Sequence, residues 1–135
     1  MRNSVSVAEA DFSPGSPIVL TAPSPSTPFS AVFEDDGETG YLYGLDTRLR
    51  GNGILDALHI YNVRDVVDRD RRSRAAVRWS HDGLRTVLFI NGYPHAGFDF
   101  EKRRGYCRTN SPPPVSTGFS AEGHAWSDEV LEFIQ

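Results

Sequence analysis

The chain has almost no cysteine. Cys107 stands alone among 135 residues, so no disulfide framework can form within it and the fold must rest on a packed core. A lone thiol fits a reducing compartment. No stretch approaches the roughly 20 consecutive apolar residues of a membrane helix. The first residues, MRNSVSVAEADF, lack the apolar centre of a secretory signal. A cytoplasmic location without membrane contact is expected. Lysine is nearly absent as well: 13 of the 14 basic residues are arginine, and only Lys102 is lysine. This reads as the coding bias of a GC-rich genome, which discounts arginine clusters as phosphate sites. Net charge is −4 and the pI is about 5.5, so no nucleic-acid partner is expected. The loop TRLRGNG, residues 47–53, lacks the lysine and hydroxyl of a phosphate loop and is no dinucleotide fingerprint. No cofactor is expected.

At this length the area scaling gives a folded surface of roughly 7,000 Å² against roughly 22,000 Å² unfolded, enough burial for one real core. The best-defined stretch is Trp79–Phe100. It holds two turn signals, Asp82-Gly83 and Asn91-Gly92, around the apolar run Leu84–Ile90, which predicts a three-stranded meander. With Asn91-Gly92 as a two-residue type I′ turn, Ile90 pairs with Tyr93, Leu88 with His95 and Leu84 with Asp99. His95 then lies on a mostly apolar face. Asp99 lies about 13 Å farther along that face, too far to contact it.

Residues 1–16 are polar and aperiodic and read as a flexible arm, with a single β-rich domain over 17–135. Ile18–Leu20, hemmed by prolines, reads as an edge strand, and PSPSTP, residues 23–28, as a stiff loop. Phe29–Phe33 and Tyr41–Leu45 form a hairpin, with Phe29, Ala31 and Phe33 on one face. Its turn, Glu34-Asp35-Asp36-Gly37-Glu38, gathers four carboxylates. Their spacing is wrong for an EF-hand loop, so a solvated turn is favoured over a cation site, and no metal set is expected. Ile54–Val63 fits a two-sided central strand better than a helix. Asp56 and His59 are polar residues inside that run. On a strand they face opposite sides, and each needs a partner if buried. The charge-dense run 64–74 reads as a solvated loop. Cys107, flanked by Arg104 and Arg108, is favoured as an idle thiol over a nucleophile. Ser111–Pro114 reads as an extended proline link. Ser127 caps a short amphipathic helix carrying Val130, Leu131, Phe133 and Ile134.

The runs FEDDGETGYLYGLD, ILDALHIYNV, INGYPHAGFDF and RRGYCRTN, in this order, resemble a small bacterial family of a domain without assigned function. The resemblance covers residues 17–134. It implies a stand-alone bacterial protein and carries no catalytic residue onto this chain. The SHDG turn also resembles one blade hairpin of a β-propeller, but no repeat follows it.

The expected fold is mainly β: an antiparallel meander of about seven strands, forming a sandwich or partly open barrel with one short C-terminal helix. Three functions stay open. The favoured one is a non-enzymatic binding module with a protein partner, including an immunity-type or regulatory one. The second is a small-ligand or metal-binding barrel lined by Tyr41, Tyr43, Tyr61, Trp79 and Tyr93. The third is a hydrolase- or lyase-like enzyme using His95 or His59 with Asp56, Asp99 or Cys107.

Overall fold

The computed structural model describes residues 4–112 and 117–134. Residues 113 and 114 of the expected proline link lie outside the described residues. The chain forms a two-layer antiparallel sandwich. One sheet has the order β1 (Ser4–Phe12), β6 (Ser73–Ser80), β7 (Arg85–Ile90), β8 (Tyr93–Asp99), β9 (Arg104–Cys107); the other has the order β2 (Ile18–Pro23), β3 (Phe29–Asp35), β4 (Thr39–Asp46), β5 (Ile54–Asn62). The sheets do not close into a barrel. The accessible surface is 7282 Å², close to the scaling expectation.

The clearest half-buried strand is β4, where Gly40, Leu42, Gly44 and Asp46 face in while Thr39, Tyr41, Tyr43 and Leu45 face out. Ala31 and Phe33 are fully buried, and Phe29 packs beside them, as the hairpin pattern predicts. The inner faces meet in one core that includes Phe33, Leu42, Leu58, Trp79 and Phe98. Trp79 is fully buried, and its indole N–H donates to the Ala22 carbonyl at 3.0 Å, tying the two sheets together.

The segment expected as a flexible arm supplies a strand instead. β1 pairs with β6 along its length. The reason is long-range. The Arg74 guanidinium reaches Glu9 at 2.7 Å and Asp11 at 2.8 Å on the neighbouring strand, and Phe12 packs edge-on against Phe33. Neither partner is visible within residues 1–16.

The meander forms where expected, with Asn91 and Gly92 at φ 53° and 80° and Ile90 opposite Tyr93. Its register then departs from the sequence reading. A bulge leaves His95 without a partner on β7: Phe89 pairs with Pro94, and Leu88 pairs with Ala96. Arg85, rather than Leu84, lies opposite Asp99. Pro94 has no N–H for the ladder, so the pairing is interrupted here. One extra residue flips every side chain beyond it. Ala96 and Phe98 thereby join Leu88 and Thr86 in the core, all four fully buried.

The C-terminal helix is a single 3-10 turn, Asp128–Glu132. Ser127 caps it as expected, its hydroxyl accepting from the Glu129 N–H at 3.3 Å. So short a segment does not repay the cost of α-helix nucleation. Its apolar residues still dock: Val130 and Phe133 cover Val87 and Tyr106 on the outer face of the five-stranded sheet. Among the described residues no helix is long and apolar enough to cross a membrane.

Candidate functional site

Asp56 does not meet His59 or His95. It points inward from β5, and its partner is His124, whose Nε2 lies 2.9 Å from both carboxylate oxygens. The Ser120 hydroxyl donates to Asp56 Oδ2 at 2.6 Å, and the Ala57 N–H donates to Oδ1 at 2.9 Å. Asp56, Ser120 and His124 are each no more than 1% exposed. The Nδ1 of His124 lies 2.7 Å from the Ser111 carbonyl, which can only accept, so that nitrogen carries a proton. Gly105 makes this approach possible: a Cβ there would sit 2.8 Å from Asp56 Oδ2. The cluster has the residue types of a hydrolytic triad but not its order. Serine and histidine both bind the aspartate, every strong acceptor is used, and solvent is excluded. It is a bracket that fixes Ser120 and His124 against β5. A partner for Asp56 was foreseeable from its apolar run; which of the four histidines it would be was not.

The other polar candidates stay apart. His59 faces out from β5, its Nε2 3.0 Å from Asn62 Oδ1 and its ring 5.3 Å from the Tyr41 ring. Cys107 is buried, donates to the His59 carbonyl at 3.1 Å, and touches Thr109. Burial pushes its thiol up, away from thiolate. Its flanking cations turn elsewhere: Arg104 stacks on Tyr106, and Arg108 lies between the Tyr93 and Trp126 rings. Asp99 caps the β8–β9 turn, accepting from the Glu101 and Lys102 N–H groups at 3.0 Å each, and pairs with Arg85 at 3.2 Å.

The five aromatic candidates line no common cavity. Trp79 is in the core. Tyr61 packs over Gly40 and donates to Asp35. Tyr41 and Tyr43 stack at 5.8 Å on the outer face of the four-stranded sheet, while Tyr93 sits edge-on to His95 at 5.2 Å on the five-stranded sheet.

Burial, reinforced by the Arg108 charge, lowers the His95 pKa. The folded ring therefore binds its proton less tightly than the unfolded one. Its stability contribution is full above the unfolded pKa near 6.5 and is lost as pH falls through the lowered folded value. Thermal melts from about pH 8 to about pH 5 should show this loss in the native protein and a flatter profile in His95→Gln. Superimposable profiles would remove the assignment.

One concave feature lies at one end of the sandwich. β3 ends in Asp35, 1% exposed, whose carboxylate accepts from the Gly15 N–H at 2.8 Å, the Gly37 N–H at 2.8 Å and the Tyr61 hydroxyl at 2.6 Å. Burial and then the Asp35 hydrogen bond push the Tyr61 phenol far up, so it remains a donor. Gly15 and Gly37 sit at φ 97° and 101°, a region that side chains with a Cβ avoid. One carboxylate thus ties the β1–β2 turn, the β3–β4 turn and β5. The remaining carboxylates of the acidic turn diverge. Asp36 accepts from the Thr39 and Glu38 N–H groups at 2.9 Å each, which lowers its pKa. Glu34 accepts from Tyr43 on the outer face at 3.2 Å. Glu38 lines an open cleft of about 810 Å³, bounded by residues 13–16, 37–39, 62–64, 69 and 70.

The fold and this site define a two-sheet antiparallel sandwich with a polar cleft at its loop end. The chain belongs to the bacterial family described as "Uncharacterized protein conserved in bacteria (DUF2251)", whose model matches residues 12–135. It is similar to an "Uncharacterized protein" of Haemophilus influenzae, 44% identical over 86 residues that cover 64% of this chain and 53% of that relative. The matched stretch thus spans about half of the relative's length. No solved structure matches the chain.

Proposed function

We propose that this protein is a non-enzymatic binding module of the bacterial cytoplasm that receives a polar loop of a protein partner in the loop-end cleft. The observation that carries this reading is Asp35, which holds two cleft-forming turns in place from within the core. Walls fixed in advance reduce the ordering cost of binding. Arg64 and Arg69 stand with Glu38 and Asp70 around the cleft, so it offers both charge signs and suits a segment that carries both. The candidate acids, bases and thiol, by contrast, are spent on structural partners or lie apart.

The test is a titration of isotopically labelled protein with capped acidic, basic and mixed-charge peptides, followed by amide shifts. Saturable shifts at Gly15, Gly37 and Thr39 are expected, largest for the mixed-charge peptides and weakened by a double Arg64→Glu, Arg69→Glu replacement. Shifts that are absent, or indifferent to that replacement, overturn the reading.

A second reading rests on the outer face of the four-stranded sheet. A shallow hollow of about 270 Å³ there is lined by Val19, Val32, Glu34, Tyr43, Leu45, Asn52 and Ile54. Burial and then Glu34 push the Tyr43 phenol up to about 12, so it presents a neutral ring suited to a small apolar ligand. In that case the titration with an apolar probe moves Val32 and Tyr43 and leaves Gly15 still.

A further inference from the structure

We propose that a second hollow, between the β8–β9 turn and the loop 118–122, binds a small oxyanion: a phosphate or carboxylate group. The hollow measures about 490 Å³ and lies against the segment held by the Asp56–His124 bracket. Three consecutive cations, Lys102, Arg103 and Arg104, line it opposite Gly118 and Ser120. Glu122 and Glu129 also line it, so the lining carries one excess positive charge on a chain whose net charge is −4.

The cations are held in place by more than these carboxylates. Arg103 donates to the Thr117 carbonyl at 3.0 Å and lies over the Phe119 ring at 5.4 Å. Arg104 stacks over the buried Tyr106 ring at 4.8 Å. Its Nε–H is buried and makes no hydrogen bond, so protein acceptors do not fill this guanidinium's donors, and its terminal nitrogen on the hollow side is held only by Glu122. Glu122 makes one long contact from the rim, reaching Arg104 at 3.3 Å while 83% exposed, whereas Glu129 reaches Lys102 at 3.3 Å and also accepts from the Ser127 hydroxyl at 3.5 Å. Such exposed pairs are weak and readily exchanged. An oxyanion entering the hollow displaces Glu122 into solvent and takes its place on the Arg104 fork. The volume exceeds that of a bare anion and leaves room for the body that carries it.

The experiment titrates the full chain with inorganic phosphate and, separately, with acetate, against chloride at matched ionic strength, following the amides of Arg104, Gly118 and Ala121. Saturation by phosphate alone assigns a phosphate site, and saturation by acetate alone assigns a carboxylate site. Arg104→Gln should weaken the saturating anion at least tenfold. Glu122→Gln, at a surface position that leaves the fold intact, should tighten it about threefold by removing the competitor. Responses no different from chloride overturn the proposal, and so does weaker binding in Glu122→Gln, a readout that stands even if the Arg104 variant fails to fold.

Discussion

Alanine at Asp56 should destabilise the protein by about 3–5 kcal/mol, because it leaves His124 buried with a ring nitrogen and no acceptor. For a chain of this size that corresponds to a drop in melting temperature of roughly 10–20 °C. The Ser120 hydroxyl loses its acceptor in the same variant. His124→Ala should cost a similar amount, since the carboxylate then remains buried beside only hydroxyl and amide donors. The double variant decides between a coupled pair and two independent polar residues. Removing both partners should cost less than the sum of the single losses by at least about 1 kcal/mol. Urea unfolding of the three variants measures this, and strictly additive losses would contradict the bracket.

Asp35→Asn is the second large effect, an expected loss of about 2–4 kcal/mol, at about 1–2 kcal/mol for each charge-assisted hydrogen bond weakened. Asparagine keeps one acceptor oxygen but turns an amide NH₂ toward groups that are themselves donors: either the Gly37 N–H at the Oδ1 position, or the Gly15 N–H and the Tyr61 hydroxyl at the Oδ2 position. The consequence reaches the cleft. Hydrogen exchange at Gly15 and Gly37 should accelerate by more than the global loss of stability explains, while the amides of β7 and β8 change only with the global term. Uniform acceleration across both sheets would mean that Asp35 supports the fold but does not order the cleft.

What could be read in the residues was local. Asn91-Gly92 and Asp82-Gly83 each encode a backbone turn within a few residues, and the alternation in Phe29–Phe33 encodes a face. These signals hold because the energies that set them, left-handed φ and half-burial, are decided within one hairpin. The pattern also placed Asp56 and His59 on opposite sides of β5, as found. The cleft was hardly legible. Asp35 looked like one of four solvated carboxylates, because nothing in its turn shows that Gly15, 20 residues earlier, and Tyr61, 26 residues later, converge on it.

Three features were settled by tertiary contacts alone. Residues 4–12 become a strand because Arg74 and Phe33 receive them, not because their own pattern demands it. The bulge at His95 shifts the register by one residue and exchanges the faces of β8, a choice made by how Ala96 and Phe98 fill the core. Asp56 meets a histidine 68 residues away, beside a strand position where only Gly105 leaves its carboxylate room. Periodicity and turn chemistry act over a few residues and are written in the order of the chain. A buried charge chooses its partner by what the packed core brings within about 3 Å, and linear order carries no measure of that distance.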